Sequence, residues 1–70
     1  MNKFKLIETY ILGKRDDVEA MKKEAITALC EDYGFDLTIN NEAVVGITNF
    51  NDTSIKAEVY LKPKVLDKVE

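Results

Sequence analysis

The residues best suited to catalysis are few in this sequence. The chain has one cysteine, Cys30, and no histidine. A cysteine nucleophile needs a thiolate that is stabilised by a histidine, a cation or a helix N-terminus. Cys30 instead falls near the C-terminal end of a predicted helix, directly before Glu31 and Asp32, and these surroundings disfavour a thiolate. We predict that Cys30 is a partly buried structural residue.

The carboxylates also lack an arrangement suited to acid–base catalysis, which needs two carboxyl groups that converge in different environments. They form two adjacent pairs, Asp16–Asp17 and Glu31–Asp32. Neighbouring residues of a helix point about 100° apart, so the members of a pair diverge. Asp16 is predicted to cap the helix, and Glu31 and Asp32 are predicted to be solvated. The sequence therefore predicts no catalytic residue and no enzymatic activity.

The composition also argues against a metal, a bound phosphate and nucleic acid. Without histidine, the available zinc ligands would be carboxylates and one thiolate, which is a poor set. The three glycines are isolated, so no glycine-rich phosphate loop is present in the sequence. The net charge is −3 and the basic residues form only short pairs, so direct nucleic-acid binding is not expected. We predict no cofactor and no metal site.

The length and hydropathy of the chain are those of one small globular domain. Hydrophobic residues make up 46% of its 70 residues, which argues against disorder. We expect a single domain over residues 1–63 and a charged tail over 64–70, which either docks through Val65 and Leu66 or stays loose. No apolar run approaches the roughly 20 residues that span a membrane, and a free thiol without an export signal favours the cytoplasm.

Residues 3–12 are predicted to form the first strand, because β-branched and aromatic residues dominate there. Alternation places four apolar residues on one face: Phe4, Leu6, Tyr10 and Leu12. Glu8 interrupts that face. Either a bulge shifts the register near Glu8, or both faces of the strand meet apolar groups.

A helix is predicted over residues 17–33. Asp16 is a suitable N-cap, Glu19 completes a capping-box-like pair, and Gly34 stands where a left-handed C-cap is expected. The apolar residues occupy one broad arc of the helix, with Cys30 on its edge: Val18, Met21, Ala25, Ile26, Ala28, Leu29 and Tyr33. The helix should therefore lie across one face of a sheet.

The second half of the chain is predicted to be strands. The segments "FDLTI" at 35–39 and "AVVGITNF" at 43–50 are strand-like, and "NNE" between them is a turn or a bulge. "NDTS" is predicted to turn into the strand "SIKAEVYLK", which Pro63 closes. The fold class is therefore α+β, a small antiparallel sheet with one helix packed across one face. The order is β-α-β-β, or β-α-β-β-β if "NNE" is a true turn.

Candidate partner-binding residues come from the acids and from one loop. The segment "TNFNDT" presents Phe50 among polar residues, where an aromatic ring can anchor a partner protein. The alternative is a buried Phe50 that covers the end of the sheet. The acids can act together only if they lie on one side of the molecule. The full candidate set is Asp16, Asp17, Glu31, Asp32, Asp36, Phe50 and Asp52.

The order and spacing of four segments resemble those of a known family. These segments are "FKLIETYIL", the helix from Asp16, "LTINNEAVVGI" and "SIKAEVYLK". They are similar to the dodecins, small βαββ proteins that assemble as closed oligomers and store flavin. The resemblance implies a homo-oligomer that binds a small planar ligand. Dodecins usually stack the flavin on a tryptophan at the start of the second strand, and Leu37 stands near that place in this chain, which has no tryptophan.

The function predicted from the sequence is that of a non-enzymatic protein-interaction module. Its size and its lack of catalytic groups are typical of inhibitors, antitoxin-like regulators and accessory proteins of mobile elements. Such a module covers a surface of another protein with an exposed sheet face or edge and with its acidic groups. The alternative is the dodecin-like homo-oligomer with a ligand such as flavin, and the two-sided apolar character of the first strand supports association.

Overall fold

The helix and the sheet predicted from the sequence are both present. The computed structural model describes residues 3–64, which form β1 (Lys5–Gly13), α1 (Val18–Tyr33), a short 3₁₀ helix (Leu37–Ile39), β2 (Asn41–Asn49) and β3 (Ser54–Pro63). The fold is α+β in the order β-α-β-β, which confirms the predicted class. Val65 and Leu66, through which the tail was predicted to dock, lie outside the described residues.

β3 is the central strand of the sheet. The strand order is β1-β3-β2, and both neighbours run antiparallel to β3. Alternation in β3 is regular, because one face of a central strand packs on the core and the other does not. Its buried residues are Ile55, Ala57, Val59 and Leu61. α1 packs against these four residues.

β1 contains a bulge, which is one of the two explanations that Glu8 suggested. Leu6 lies opposite Tyr60 and Glu8 lies opposite Val59, so Ile7 is an extra residue in β1. The bulge allows Ile7 to pack against the core while Glu8 stays exposed. A charged residue in an apolar strand is therefore accommodated at the surface without a buried partner.

The bulge also divides the apolar residues that alternation had placed on one face of β1. Tyr10 and Leu12, which follow the bulge, are partly buried against the core. Phe4 and Leu6, which precede it, are exposed on the other side of the sheet. The prediction of one continuous apolar face is wrong, because an extra residue reverses the side to which the following residues point.

The helix cap lies one residue later than predicted. Asp17, not Asp16, is the N-cap, and its Oδ1 accepts a hydrogen bond from the backbone amide of Ala20 at 3.2 Å. Both aspartates suit a cap, but only Asp17 stands at the junction of extended and helical backbone. At the other end Gly34 has φ of 82° and donates to the carbonyl of Cys30 at 2.8 Å, which confirms the predicted left-handed C-cap.

Asp17→Ala is expected to lower the free energy of unfolding by about 1 kcal/mol, because an amide of the first turn loses its acceptor. Asp16→Ala is the matched control and should change it by less than about 0.5 kcal/mol, since Asp16 is exposed and is not the cap. Urea denaturation followed by circular dichroism measures both variants. A larger loss for Asp16→Ala would show that the helix starts one residue earlier in solution.

The helix packs on the sheet along a narrow stripe. Met21, Ala25 and Leu29 are buried at intervals of four residues. Cys30 is partly buried against this core, as predicted. Val18 and Tyr33 were predicted to belong to the same apolar arc, but they are 46% and 48% exposed. They are the first and last residues of α1, where the helix ends project past the core.

The prediction of a strand over residues 35–39 is wrong. Asp36 accepts hydrogen bonds from the backbone amide of Thr38 at 2.9 Å and from its hydroxyl at 2.6 Å, and this local pairing caps a 3₁₀ helix. Such bonds compete with strand ladders, and an alternation of only five residues is a weak strand signal. Leu37 is buried, whereas Phe35 and Ile39 are exposed. The five-element order is therefore excluded.

Candidate interaction surface

The side of the sheet opposite α1 carries a group of half-exposed apolar side chains, and no described element covers it. Alternation and the strand register place on this side every residue that points away from the core. We call this surface the open face; its apolar residues are Phe4, Leu6, Ile11, Val44 and Tyr60. Its polar residues are Thr9, Glu42, Thr48, Lys56, Glu58 and Lys62. Four of the apolar side chains, those other than Tyr60, are between 41% and 50% exposed.

Three apolar residues form a continuous row across the sheet. Leu6 of β1 lies opposite Tyr60 of β3, which in turn lies opposite Val44 of β2. Phe4 extends the row, and the ammonium of Lys62 stands 5.0 Å from the centre of its ring in a cation–π contact. Single exposed apolar residues are normal on a protein surface, but a contiguous patch marks an interaction site.

Gly46 shapes the surface beside the row. A Cβ added at Gly46 would lie 4.0 Å from Cε1 of Tyr60, so the tyrosine ring lies against the backbone of the glycine. The hydroxyl of Tyr60 donates to Oε1 of Glu58 at 3.4 Å, which directs the ring along the sheet. An aromatic ring that covers a strand glycine gives this part of the open face a flat surface.

The charges of the open face balance each other. Two lysines, Lys56 and Lys62, share it with two glutamates, Glu42 and Glu58, and Lys62 Nζ lies 3.1 Å from Oε1 of Glu42. The whole chain carries a net charge of −3. The excess of acid is therefore on other parts of the molecule, and the open face is close to neutral.

The predicted acidic candidates do not come together. Asp16 and Asp17 precede α1, while Glu31 and Asp32 lie in its last turns and Asp36 follows it. A helix of 16 residues is about 24 Å long, and this length separates the two groups. The structure therefore does not place them on one acidic surface.

Asp32 is engaged with β1. Its Oδ2 accepts a hydrogen bond of 2.6 Å from the hydroxyl of Tyr10. Partial burial, followed by this hydrogen bond and the nearby charge of Asp32, raises the pKa of Tyr10 well above its usual value of about 10. The contact ties the C-terminal end of α1 to the edge strand, so Asp32 has a structural role.

Asp36 is engaged with its own loop and with α1. Its hydrogen bonds from the side chain and the backbone of Thr38 lower the pKa of the Asp36 carboxyl. The thiol of Cys30 also donates to Oδ1 of Asp36, at 3.6 Å. A carboxylate that accepts hydrogen bonds is stabilised in its charged form. Cys30 therefore helps to position the segment after α1.

The loop candidates Phe50 and Asp52 lie in the β2–β3 turn. Phe50 is 57% exposed, so the alternative of a buried ring over the end of the sheet is wrong. The turn is closed by the amides of Phe50 and Asn51, which both donate to the carbonyl of Ser54 at 3.1 Å. A hydrogen bond of 3.0 Å from the amide of Lys14 to the carbonyl of Thr53 places the turn beside the end of β1.

A second apolar cluster lies at the C-terminal end of α1. The rings of Tyr33 and Phe35 meet edge to face, with centroids 6.5 Å apart, and Ile39 is 65% exposed. Beside them is a shallow depression lined by Ile26, Cys30, Phe35 and Thr38, among others. The assignment of residues 35–39 to a half-buried strand concealed this cluster in the sequence.

The open face itself was concealed by the β1 bulge. Strict alternation assigns Phe4 and Leu6 to the core side, together with Tyr10 and Leu12. The one signal in the sequence was Glu8, which indicated that the register changes between the two pairs. The regular alternation of β3 separates Tyr60 from the buried residues of that strand, but no such assignment followed from the sequence for Val44.

Within residues 3–64, no group of three or more acidic, cysteine or histidine side chains is arranged to hold a metal ion. Across the same part of the chain, α1 is neither long nor apolar enough to cross a membrane.

Leu37, which stands near the position of the dodecin tryptophan, is only 9% exposed and lies in the core. Binding of a planar ligand stays a prediction from the resemblance.

The sequence matches no family model, and searches of the curated proteins and of the solved structures found no match either.

Proposed function

We propose that this chain is a non-enzymatic protein-interaction module that binds a partner protein through the open face and acts as its inhibitor or regulator. One observation carries the proposal. The apolar row formed by Leu6, Tyr60 and Val44 crosses the whole sheet, on a side that no described element covers. The small size and the lack of evident catalytic groups favour the accessory proteins of mobile elements as the class.

The composition of the open face suits a protein contact. Burying a large apolar side chain stabilises a complex by about 1.5–3 kcal/mol, so half-exposed residues each offer roughly 1 kcal/mol. Aromatic residues near the centre of a patch are the most frequent contributors to binding energy. Tyr60 stands at the centre of the row, and the balanced charges of Lys56, Lys62, Glu42 and Glu58 lie around it. The expected partner surface is apolar at its centre and mixed in charge at its rim.

Leu6→Lys is expected to weaken partner binding at least about 30-fold, because the loss of about 1 kcal/mol of apolar contact and the burial of a new charge together cost about 2 kcal/mol or more. Leu6 is 50% exposed on the edge strand β1, so a lysine there adds a charge to the contact without opening the core. The tagged wild-type chain and the variant are used to capture partners from native host cells, and captured proteins are compared by quantitative mass spectrometry. Titration with the purified partner then gives the two dissociation constants.

Phe35→Lys is the matched control, because Phe35 is 59% exposed in the second apolar cluster, away from the open face. It should leave partner binding within about twofold of wild type. Loss of binding in Phe35→Lys with retention in Leu6→Lys would move the contact to the end of α1 and contradict the proposal. A wild-type chain that retains no protein lost by Leu6→Lys would contradict it too.

A further inference from the structure

The open edge of β2 displays the backbone groups of alternate residues. Lys64 donates to the carbonyl of Asn40, and Phe50 donates to the carbonyl of Ser54. Because paired residues of antiparallel strands alternate between bonded and non-bonded types, the even-numbered residues of β2 bond to β3. The outward-facing amides and carbonyls belong to Asn41, Ala43, Val45, Ile47 and Asn49.

The two edges of the sheet differ in how they are protected against pairing. β1 carries a bulge at Ile7 and two exposed charged residues, Lys5 and Glu8. These features hinder the pairing of another strand with this edge. β2 pairs with β3 over nine residues without a register shift, and its sequence NEAVVGITN has no proline and no lysine. A long, regular and weakly charged edge of this kind is a template for strand addition.

We infer that β2 pairs with β2 of a second copy of this chain, antiparallel and about a two-fold axis through Val45, to give a continuous six-stranded sheet. In this register Val45 faces its own copy and Ala43 faces Ile47 of the other chain. Asn41 faces Asn49 in the same way. All five outward-facing residues thus fall in reciprocal pairs, which gives on the order of ten interchain hydrogen bonds.

The charges of β2 are compatible with pairing to β2 of a second copy. Glu42 is the one ionisable residue of the strand, and the two-fold register sets it opposite Thr48. Like charges therefore do not face each other across the new strand pair, where they would be destabilising. On the α1 side of the sheet, Ala43, Val45 and Ile47 already border the core, and the copy extends that apolar layer.

The size of the open face supports the same arrangement. Three strands about 4.8 Å apart and about 30 Å long present a flat area of roughly 400 Å². Specific complexes usually bury about 800 Å² on each partner, which is more than one open face offers. Pairing through β2 places two open faces side by side on one sheet and doubles the area. The inference goes beyond the proposed function, and its test uses the purified chain alone.

Hydrogen exchange measured by NMR at two protein concentrations tests the pairing in the wild-type chain. At high concentration the amides of Ala43, Val45 and Ile47 should exchange at least tenfold more slowly than at low concentration. The amide of Thr9, which faces the open edge of β1 by the same alternation, should not change. Sedimentation velocity should show a monomer–dimer equilibrium with a dissociation constant on the order of 10–100 μM, as expected for a small interface.

Ala43→Pro removes an outward-facing amide without removing a bond to β3, and it should weaken dimerisation at least tenfold. Thr9→Pro is the matched control on the other edge and should not change it. Circular dichroism tests whether both variants are folded. If either is not, the exchange pattern of the wild-type chain alone decides whether β2 pairs with a second copy. A monomer at 1 mM, or a dimer whose β2 amides stay unprotected, would overturn the inference. Protection of β2 only after a partner is added would assign the edge to the strand of that partner and overturn it as well.

Discussion

Leu29→Ala is expected to reduce the free energy of unfolding by about 3 kcal/mol, which is the larger part of the stability of a domain this small. Leu29 is 1% exposed and is among the largest side chains in the core. Its removal loses the transfer free energy of the side chain and leaves a cavity between α1 and the sheet. For a domain of this size, the loss corresponds to a decrease of roughly 12–24 °C in the melting temperature.

Leu6→Ala is the control for this prediction, because it makes the same chemical change on the open face. Leu6 is 50% exposed, so its truncation should cost less than about 1 kcal/mol. Urea denaturation of both variants gives midpoints and slopes, and the slopes should agree with that of the wild type. Equal losses at the two positions would show that the open face is as well packed as the core, which contradicts the structure.

The regular elements could be predicted because their signals are local. α1 has a cap-type residue before it, apolar residues at helical spacing within it and Gly34 after it, and it ends where the sequence indicated. β3 shows strict alternation over its whole length and is the strand with neighbours on both sides. In both cases the burial that stabilises the element also produces its pattern.

The errors have a common physical origin, which is competition between a side chain and a regular backbone pattern. Asp16 and Asp17 are equally good caps in isolation, and the exact start of the helix selects one of them. In residues 35–39, hydrogen bonds from Thr38 to Asp36 outweigh an apolar alternation that is only five residues long. Neither outcome is visible in hydropathy.

The candidate site was harder to predict because it depends on how distant segments come together. The length of α1 separates the candidate acids, and three of them, Asp17, Asp32 and Asp36, are engaged in structural contacts. The open face is formed by residues of all three strands. Its β1 part depends on a bulge, whose position shifts which residues point away from the core.

Ala57→Leu is expected to destabilise the domain by about 3 kcal/mol, for the opposite reason to Leu29→Ala. Ala57 is completely buried in the central strand, beneath α1 and between Tyr10 and Ile47, its neighbours in β1 and β2. A larger side chain there must displace the helix or adopt a strained rotamer, which costs about 1–3 kcal/mol and occasionally more. Urea denaturation measures the loss, and an increase in exchange rate of the α1 amides should accompany it.

Lys56→Leu provides the complementary measurement, because Lys56 precedes Ala57 in the same strand but points to the open face. The substitution should change the free energy of unfolding by less than about 0.5 kcal/mol, since nothing described packs above it. It enlarges the apolar part of the open face and should strengthen partner binding. If Lys56→Leu lowered the free energy of unfolding as much as Ala57→Leu does, that side of β3 would be tightly packed in the free protein. The surface proposed for partner binding would then already be occupied.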